Sequence, residues 1–379
     1  MTAPLKSCKT AADGLQLLNV SKTFDQTEVL HDIDLTVAPG EVLALVGPSG
    51  AGKTTLCRII AGLETPSSGQ CYMNGTDMTA MPPGDRRVAM MFESYALYPH
   101  LSVGDNVRSP LLARAKGGLP PTAGQHIEQL LAVLEIAHLS DRLPSELSGG
   151  QKQRTALARA LIQNPNALLL DEPISHLDAK LRHKLRGEIR QILNARPHPT
   201  IWSTPDGLEG LSVGDRIAVL IAGRIEQIGT PEDIWLRPAS VKVARLFGDP
   251  PMNILPGELQ DGQGRIDFHC RSMTMTLPPA LAASAKAIKG RAAFLGLRPN
   301  GLTLHRGDDQ SAIATTVYSI ESFGKYAIVT LITPPGDLIK LKTADVQDLK
   351  LGDDVGVRYA SDQLLLFDGT TGRAAYVYS

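Results

Sequence analysis

Residues 47–55 read Gly-Pro-Ser-Gly-Ala-Gly-Lys-Thr-Thr and fit the pattern G-x-x-x-x-G-K-[ST]. Such a loop lets backbone N–H groups converge on a β-phosphate, and a helix N-terminus behind it adds positive potential. Gly47, Pro48, Ser49, Gly50, Ala51, Gly52, Lys53, Thr54 and Thr55 are therefore candidate nucleotide-binding residues. Lys53 is expected to reach the β- and γ-phosphates, and Thr54 to ligate Mg²⁺. Further along, Leu168-Leu-Leu-Asp171-Glu172 is an apolar run ending in two acids. Asp171 suits the outer shell of the metal, and Glu172 suits polarising an attacking water. Leu147-Ser148-Gly149-Gly150-Gln151 precedes a helical pattern. It reads either as an ordinary helix cap or as a second anion-binding nest, made of Ser148 and two glycines at a helix start. A second phosphate element in a chain that already has a complete loop would serve a nucleotide held by another subunit.

These groups need strands and helices to hold them. EVLALVG is a short apolar run, the pattern of a strand buried on both faces, and it leads directly into the glycine loop. TLCRIIAG follows as a helix. LQLLNV and HDIDLTV predict strands, NALLLDEP and TIW predict two more, and RIAVLIAGRIEQIGT predicts two strands and a turn. Residues 105–165 read as mostly helical. In HIEQLLAVLEIAHL, Ile127, Leu130, Leu131 and Leu134 form a core-facing stripe. Thr230-Pro231-Glu232-Asp233 starts a helix, with threonine as cap, proline in the first turn and acids beside the positive pole. Around residues 245–257 the texture changes, and FGDPPMNILPGEL reads as a linker or domain edge. Beyond it, ATTVYSI, YAIVTLI, LIKLKTA and VGVRYA predict short strands at the density of a small barrel or sandwich.

Composition limits the function classes. The 379 residues imply two or three domains, and a net charge of −1 gives no basic field for nucleic acid or an anionic membrane. Cys8, Cys57, Cys71 and Cys270 lack paired spacing, which points to reduced thiols rather than a zinc site. The first residues carry no long apolar run, so no secretory leader is expected. No stretch approaches the ~20 apolar residues of a membrane span, so work at a membrane would require docking on another protein.

The phosphate loop, LSGGQ and LLLDEP, in this order and spacing, resemble the ATP-binding subunits of ABC transporters. Phe24 occupies the place of the aromatic that stacks on adenine, and Ser175-His-Leu-Asp178 looks like the D-loop. FESYALYPH, 92–100, looks like the Q-loop of the sugar and glycerol-phosphate importer branch. DPPMN and GLRPNGL look like that branch's C-terminal OB-type domain, so the likeness spans about 15–370. It implies an α/β P-loop nucleotide-binding domain at 14–245 with a helical subdomain about 93–160. It also implies a small all-β OB-type domain at 246–379, with residues 1–13 as a flexible tail. It further implies ATP and Mg²⁺, a head-to-tail pair of ATPase subunits, and Ser148, Gly149, Gly150 and Gln151 facing the partner's ATP. Two transmembrane permeases would meet the segment Glu93–Asn106, with an extracytoplasmic solute-binding protein acting through them. The location would be peripheral, on the cytoplasmic face of the cell membrane, with no nucleic-acid partner.

Two positions depart from that pattern. Glu93 stands where the family has glutamine, and Pro205 where it has the switch histidine. Thr204, Asp206, Glu209 and Asp215-Arg216-Ile217 set the register around Pro205. Proline offers neither a side-chain donor nor a backbone N–H. Losing one donor aimed at developing charge costs ~10²–10³ in rate. Glu93 could reach the metal through oxygen, at the cost of negative charge beside the γ-phosphate. The leading expectation is an impaired site of its own. The alternatives are that Glu172 suffices, or that His176 substitutes. Competing whole-protein readings are an exporter subunit, an ABC ATPase acting on ribosomes or DNA, and a regulatory protein that binds ATP without turnover. Arg298 is expected to structure the C-terminal domain, and Met90-Met91 to be core.

Overall fold

The computed structural model describes residues 13–114, 121–262, 265–286, 288, 290–306 and 312–375. Of the expected tail, 1–12 lie outside the described residues. The chain divides into two compact units, Met1–Pro231 and Glu232–Ser379.

In the first unit, β1 (Leu15–Phe24) and β2 (Thr27–Val37) are the strands expected from LQLLNV and HDIDLTV. Then come β3 (Val42–Val46), α1 (Lys53–Ala61), β4 (Ser68–Met73), β5 (Thr76–Asp77), α2 (Pro83–Arg86) and β6 (Val88–Met91). The helical stretch supplies α3 (Val103–Arg114), α4 (Ala123–Val133) and α5 (Gly149–Leu161). β7 (Ala167–Asp171), α6 (Ala179–Asn194), β8 (Thr200–Thr204), α7 (Gly207–Val213), β9 (Arg216–Ile221) and β10 (Arg224–Gly229) complete it.

The strands form an antiparallel sheet of order β2-β1-β4-β5 and a larger sheet of order β10-β9-β3-β8-β7-β6. In the larger sheet β9, β3, β8, β7 and β6 run parallel, and β10 is antiparallel at the edge. Parallel pairing puts the C-terminal ends of β3, β7 and β8 side by side, which is where an open α/β sheet binds ligands. Each residue of β3, β7 and β8 is buried, as their apolar runs require. Leu43, Leu45, Leu56, Ile59, Leu169, Ile201 and Leu220 join in one core, locking α1 to the sheet. The last turn of α1 is closed by the buried Arg86, which donates to Ile59 O at 2.7 Å and Ile60 O at 3.0 Å. Met91 is buried, and Met90 packs against the core. The stripe on α4 is buried as expected, but the helix stops at Val133, and Glu135 turns to φ 55°.

The second unit begins inside α8 (Pro231–Leu236), which has the expected proline and first-turn acids. The domain edge expected at 245/246 lies within this unit. The reason is packing: Ala244 of α9 (Val241–Leu246) shares a cluster with Met252, Leu365 and Phe367. The linker expected around 245–257 is in part a strand, β11 (Asn253–Gly262). Pro256 is tolerated there because β11 pairs only with β14 (Ala292–Leu297) at that point. Pairing with β12 (Arg265–Cys270) starts at Gly257. β13 (Thr274–Thr276), α10 (Pro279–Ala285), β15 (Leu302–His305) and β16 (Ile313–Ser322) follow. The remainder is β17 (Ala327–Ile332), β18 (Leu338–Thr343), β19 (Asp354–Tyr359) and β20 (Leu364–Asp368). Two antiparallel sheets result, β13-β12-β11-β14-β20 and β15-β19-β16-β17-β18, around a shared apolar core. Arg298 is structural: its guanidinium lies 4.0 Å from the centre of the Trp235 ring and donates to the Trp235 carbonyl.

The two sheets of this unit are stitched by Asn253. Its Nδ2 donates to Lys340 O at 2.8 Å and Leu297 O at 3.2 Å, and its Oδ1 accepts from Lys340 N at 2.7 Å. Asn253→Ala removes one buried and two part-buried main-chain hydrogen bonds and should cost about 1–3 kcal/mol. Denaturant unfolding monitored in the C-terminal unit checks this; a variant as stable as the parent refutes the stitch.

Candidate functional site

The loop that leaves β3 is bent back onto the sheet by backbone bonds. Gly47 N donates to Thr204 O at 3.3 Å, which ties the loop to the end of β8. Gly52 takes φ 105° as it enters α1, and a Cβ there would stand 2.7 Å from Leu30 Cδ2. Only glycine combines that dihedral with that approach. A cavity of about 290 Å³ results, lined by Val29, Ser49, Gly50, Gly52, Lys53, Thr54, Thr55, Glu93 and Glu172.

Lys53 is the centre of this cavity. Its ammonium is buried and donates to Gly47 O at 2.9 Å and Pro48 O at 3.2 Å. Glu172 Oε1 lies 3.9 Å away. Burial lowers the lysine pKa, and Glu172, Asp171 and Glu93 oppose the shift. Burial likewise raises the Glu172 carboxyl; Lys53 pulls it down, and Glu93 and Asp171 push it up again. One desolvated cation ringed by carboxylates, with glycine N–H groups at hand, is suited to a polyanion of phosphates.

Asp171 ends β7, fully buried, behind the cavity. Ser203 on β8 donates to its Oδ1, and Oδ2 has no hydrogen-bond partner among the described residues. A buried carboxylate oxygen left open at the edge of a phosphate site fits a divalent cation or its water. Glu172, next along, adopts φ 49°, a strained value for a side-chain-bearing residue. Its backbone is held on both sides: N donates to Ser203 O at 3.1 Å, and O accepts from Gln153 Nε2 at 2.9 Å. Ser203 and Gln153 were invisible to motif reasoning, being lone polar residues in a strand and a helix.

The other expected residues fall into separate places. Phe24 is 40% exposed at the end of β1, with Lys22 Nζ 4.6 Å from its ring centre, so a face is open for stacking. Glu93 lines the cavity. Pro205 does not; it follows β8, where Asp206 caps α7 by accepting from Leu208 N and Glu209 N. His176 is engaged with Tyr95, its Nδ1 lying 2.9 Å from the phenol oxygen, and it does not line the cavity either.

Ser148 realises the helix-cap reading: its Oγ accepts from Gln151 N, and its N donates to Gln151 Oε1 at 2.8 Å. That leaves the glycine after it unexplained within the chain. A Cβ on Gly149 would meet nothing within 4 Å. Ser148 and Gly149 are exposed. Local packing does not demand glycine there, and close approach by another molecule would.

A strand, a glycine loop, a lysine-headed helix and an acidic strand end meeting at one cavity define a P-loop nucleotide-binding protein. Residues 30–175 match the family model described as ABC transporter, and residues 295–367 match that of the TOBE domain. The chain is 36% identical over 359 residues to the sn-glycerol-3-phosphate import ATP-binding protein UgpC 1 of Rhizobium johnstonii, covering 95% of each. It is 35% identical over 376 residues to the trehalose/maltose import ATP-binding protein MalK of Thermococcus litoralis, covering 96% of this chain and all of the other. A solved bacterial ABC transporter cassette, the dimeric MJ0796, superposes with a TM-score of 0.54 at 28% identity, over 57% of this chain and 98% of that one. The chain belongs to the ATP-binding subunits of ABC transporters, in the branch that carries a C-terminal TOBE domain.

Lys53→Ala should abolish nucleotide binding at this cavity, because it removes the cation that the carboxylates and the loop surround. Titration of the two proteins with a fluorescent ATP analogue checks this, and unchanged affinity refutes the assignment.

Proposed function

We propose that the chain energises an importer of a sugar, a polyol, glycerol or glycerol 3-phosphate, with its own ATP site as the slow half of an unequal pair. What supports the solute class is the company of import ATP-binding relatives at 35–36% identity over nearly the whole chain. No helix among the described residues is long and apolar enough to cross a membrane, in keeping with a peripheral subunit. In this reading the chain docks on two permeases at the cytoplasmic face through the segment Glu93–Asn106. There Tyr98 is 48% exposed. A solute-binding protein outside the membrane delivers the solute.

ATP binds on Lys53 and the loop, its adenine against Phe24. Mg²⁺, when bound, neutralises the β- and γ-phosphate charge, and Thr54, Asp171 and Glu93 are the residues that would hold it. Glu172 accepts the proton of the attacking water. The observation that carries the proposal of an impaired site is Pro205, with Glu93 in place of glutamine, beside an intact phosphate loop and Asp171-Glu172. The position that should present a donor to the γ-phosphate presents none, while Ser148, Gly149, Gly150 and Gln151 are intact for a partner's ATP. A homodimer would have the defect twice. A second ATPase subunit with its own glutamine and histidine repairs one site, and this chain completes that site across the interface.

The isolated chain should bind ATP and hydrolyse it ~10²–10³-fold more slowly than the complete transporter. Ser148→Arg should stop transport, Glu172→Gln should affect it mildly, and Pro205→His should raise turnover of the isolated chain. Steady-state phosphate release and solute uptake in proteoliposomes measure all four. A vigorous homodimer that drives uptake with no second ATPase defeats the unequal-pair reading.

A substitution in the docking segment is expected to separate assembly from folding. Tyr98→Ala should weaken co-purification with the permeases while leaving the unfolding temperature of the soluble chain unchanged. Uptake and assembly at parental levels would exclude the segment as the dock.

A further inference from the structure

Helix α5 carries a closed ring of hydrogen bonds that no motif required. Gln153 Nε2 donates to Glu172 O at 2.9 Å, and Gln153 Oε1 accepts from His176 N at 3.1 Å. The His176 ring continues outward, with Nδ1 2.9 Å from Tyr95 Oη and the two rings edge to face at 6.0 Å. The ring closes on α5 again, where Arg159 Nη2 donates to Tyr95 O at 2.9 Å and its guanidinium lies 5.3 Å from the Tyr98 ring centre. Tyr95 and Ala96 both hold positive φ, 65° and 47°, a conformation that side-chain-bearing residues keep only when contacts impose it. On the other side, Arg182 fastens the 174–177 turn through Ile174 O, Ser175 O and Leu177 O.

We infer that Tyr95 and His176 are positioning residues: their hydrogen bond transmits the state of the 93–106 segment to Glu172 and the turn after it. This rests on the proposed docking of that segment on permeases. The segment and the turn are 81 positions apart in sequence, and the phenol–imidazole bond is their side-chain link. A shift of Tyr95 of an ångström or more either drags His176 along or breaks the bond. If His176 moves, its backbone N pulls on Gln153, the same side chain that holds the strained Glu172 backbone. Neither Tyr95 nor His176 lines the nucleotide cavity, so their effect falls on turnover and not on nucleotide affinity.

The test uses the complete transporter carrying Tyr95→Phe, His176→Ala, His176→Asn, or Tyr95→Phe with His176→Ala. Permease-stimulated kcat and KM for ATP are measured at this chain's own site, with the site of the second ATPase subunit inactivated in every sample, beside thermal unfolding. Tyr95→Phe and His176→Ala should each lower stimulated kcat roughly two- to tenfold, the range one neutral hydrogen bond commands, with KM and unfolding temperature unchanged. The double variant should be no worse than either single one. His176→Asn, whose amide oxygen can stand where Nδ1 does, should restore most of the rate. Parental kcat in the single variants, additive losses, or His176→Asn no better than His176→Ala would overturn the inference. If the wild-type chain itself ignores the permeases, the transport reading fails and takes this inference with it. Wild-type stimulation with indifferent variants removes the inference alone.

Discussion

A lysine ammonium held out of water is the constraint on which the rest of the first unit depends. Lys53 is only 5% exposed. Its charge is tolerable because two loop carbonyls accept from it and three carboxylates face it. To keep that arrangement, β3 must deliver the loop, α1 must start at Lys53, and β7 must end in Asp171 and Glu172. The parallel register of β3, β8 and β7 sets these ends beside one another. The carboxylates repel one another once the lysine is removed from the account, and Glu172 is already raised by burial. Phosphates bring the opposite charge to the lysine at the centre of this cluster. Nucleotide binding thus completes an electrostatic arrangement that the fold leaves half made.

The same cluster gives physical meaning to the departures at 93 and 205. A glutamine facing the cavity is neutral and can both donate and accept; Glu93 only accepts and adds a third carboxylate. A histidine after β8 could donate to a γ-phosphate; Pro205 removes that donor together with its own N–H. In the proposed function, both changes fall on features that would stabilise charge growing on phosphate and spare those that would hold the ground-state nucleotide. In that proposal, binding and closure rest on Lys53, the loop and Phe24. Turnover depends on groups aimed at the transition state.

Helix α5 ties these levels together. Its first turn presents Ser148 and Gly149 outward, its middle holds Glu172 and the following turn through Gln153, and Arg159 holds the 95–98 segment. Its Thr155, Ala156, Leu157 and Ala158 are buried, so the middle of the helix is packed into the unit.

Much of this was legible in the residues alone. The apolar runs of β3, β7 and β8 marked strands buried on both faces, since only a covered parallel sheet accepts unbroken hydrophobic strands. The glycine loop, Lys53 and Asp171-Glu172 announced phosphate chemistry by local spacing, and the Ser148–Gln151 capping box is local too. What stayed hidden depends on residues far apart in the chain. Nothing near Ser203 says that it holds Asp171, thirty-two positions away. Nothing near Pro256 says that β11 lacks its second neighbour at that point, so a Pro-Gly texture read as a linker is a strand. The boundary moved from 245/246 to 231/232 for the same reason, because α9 packs with Met252, Leu365 and Phe367, the last two more than a hundred residues on. Local pattern determined which segments could be strands, helices and phosphate loops. Only the tertiary structure decided which lone polar side chains meet, because a hydrogen bond depends on distance in space and leaves no periodic trace in the sequence.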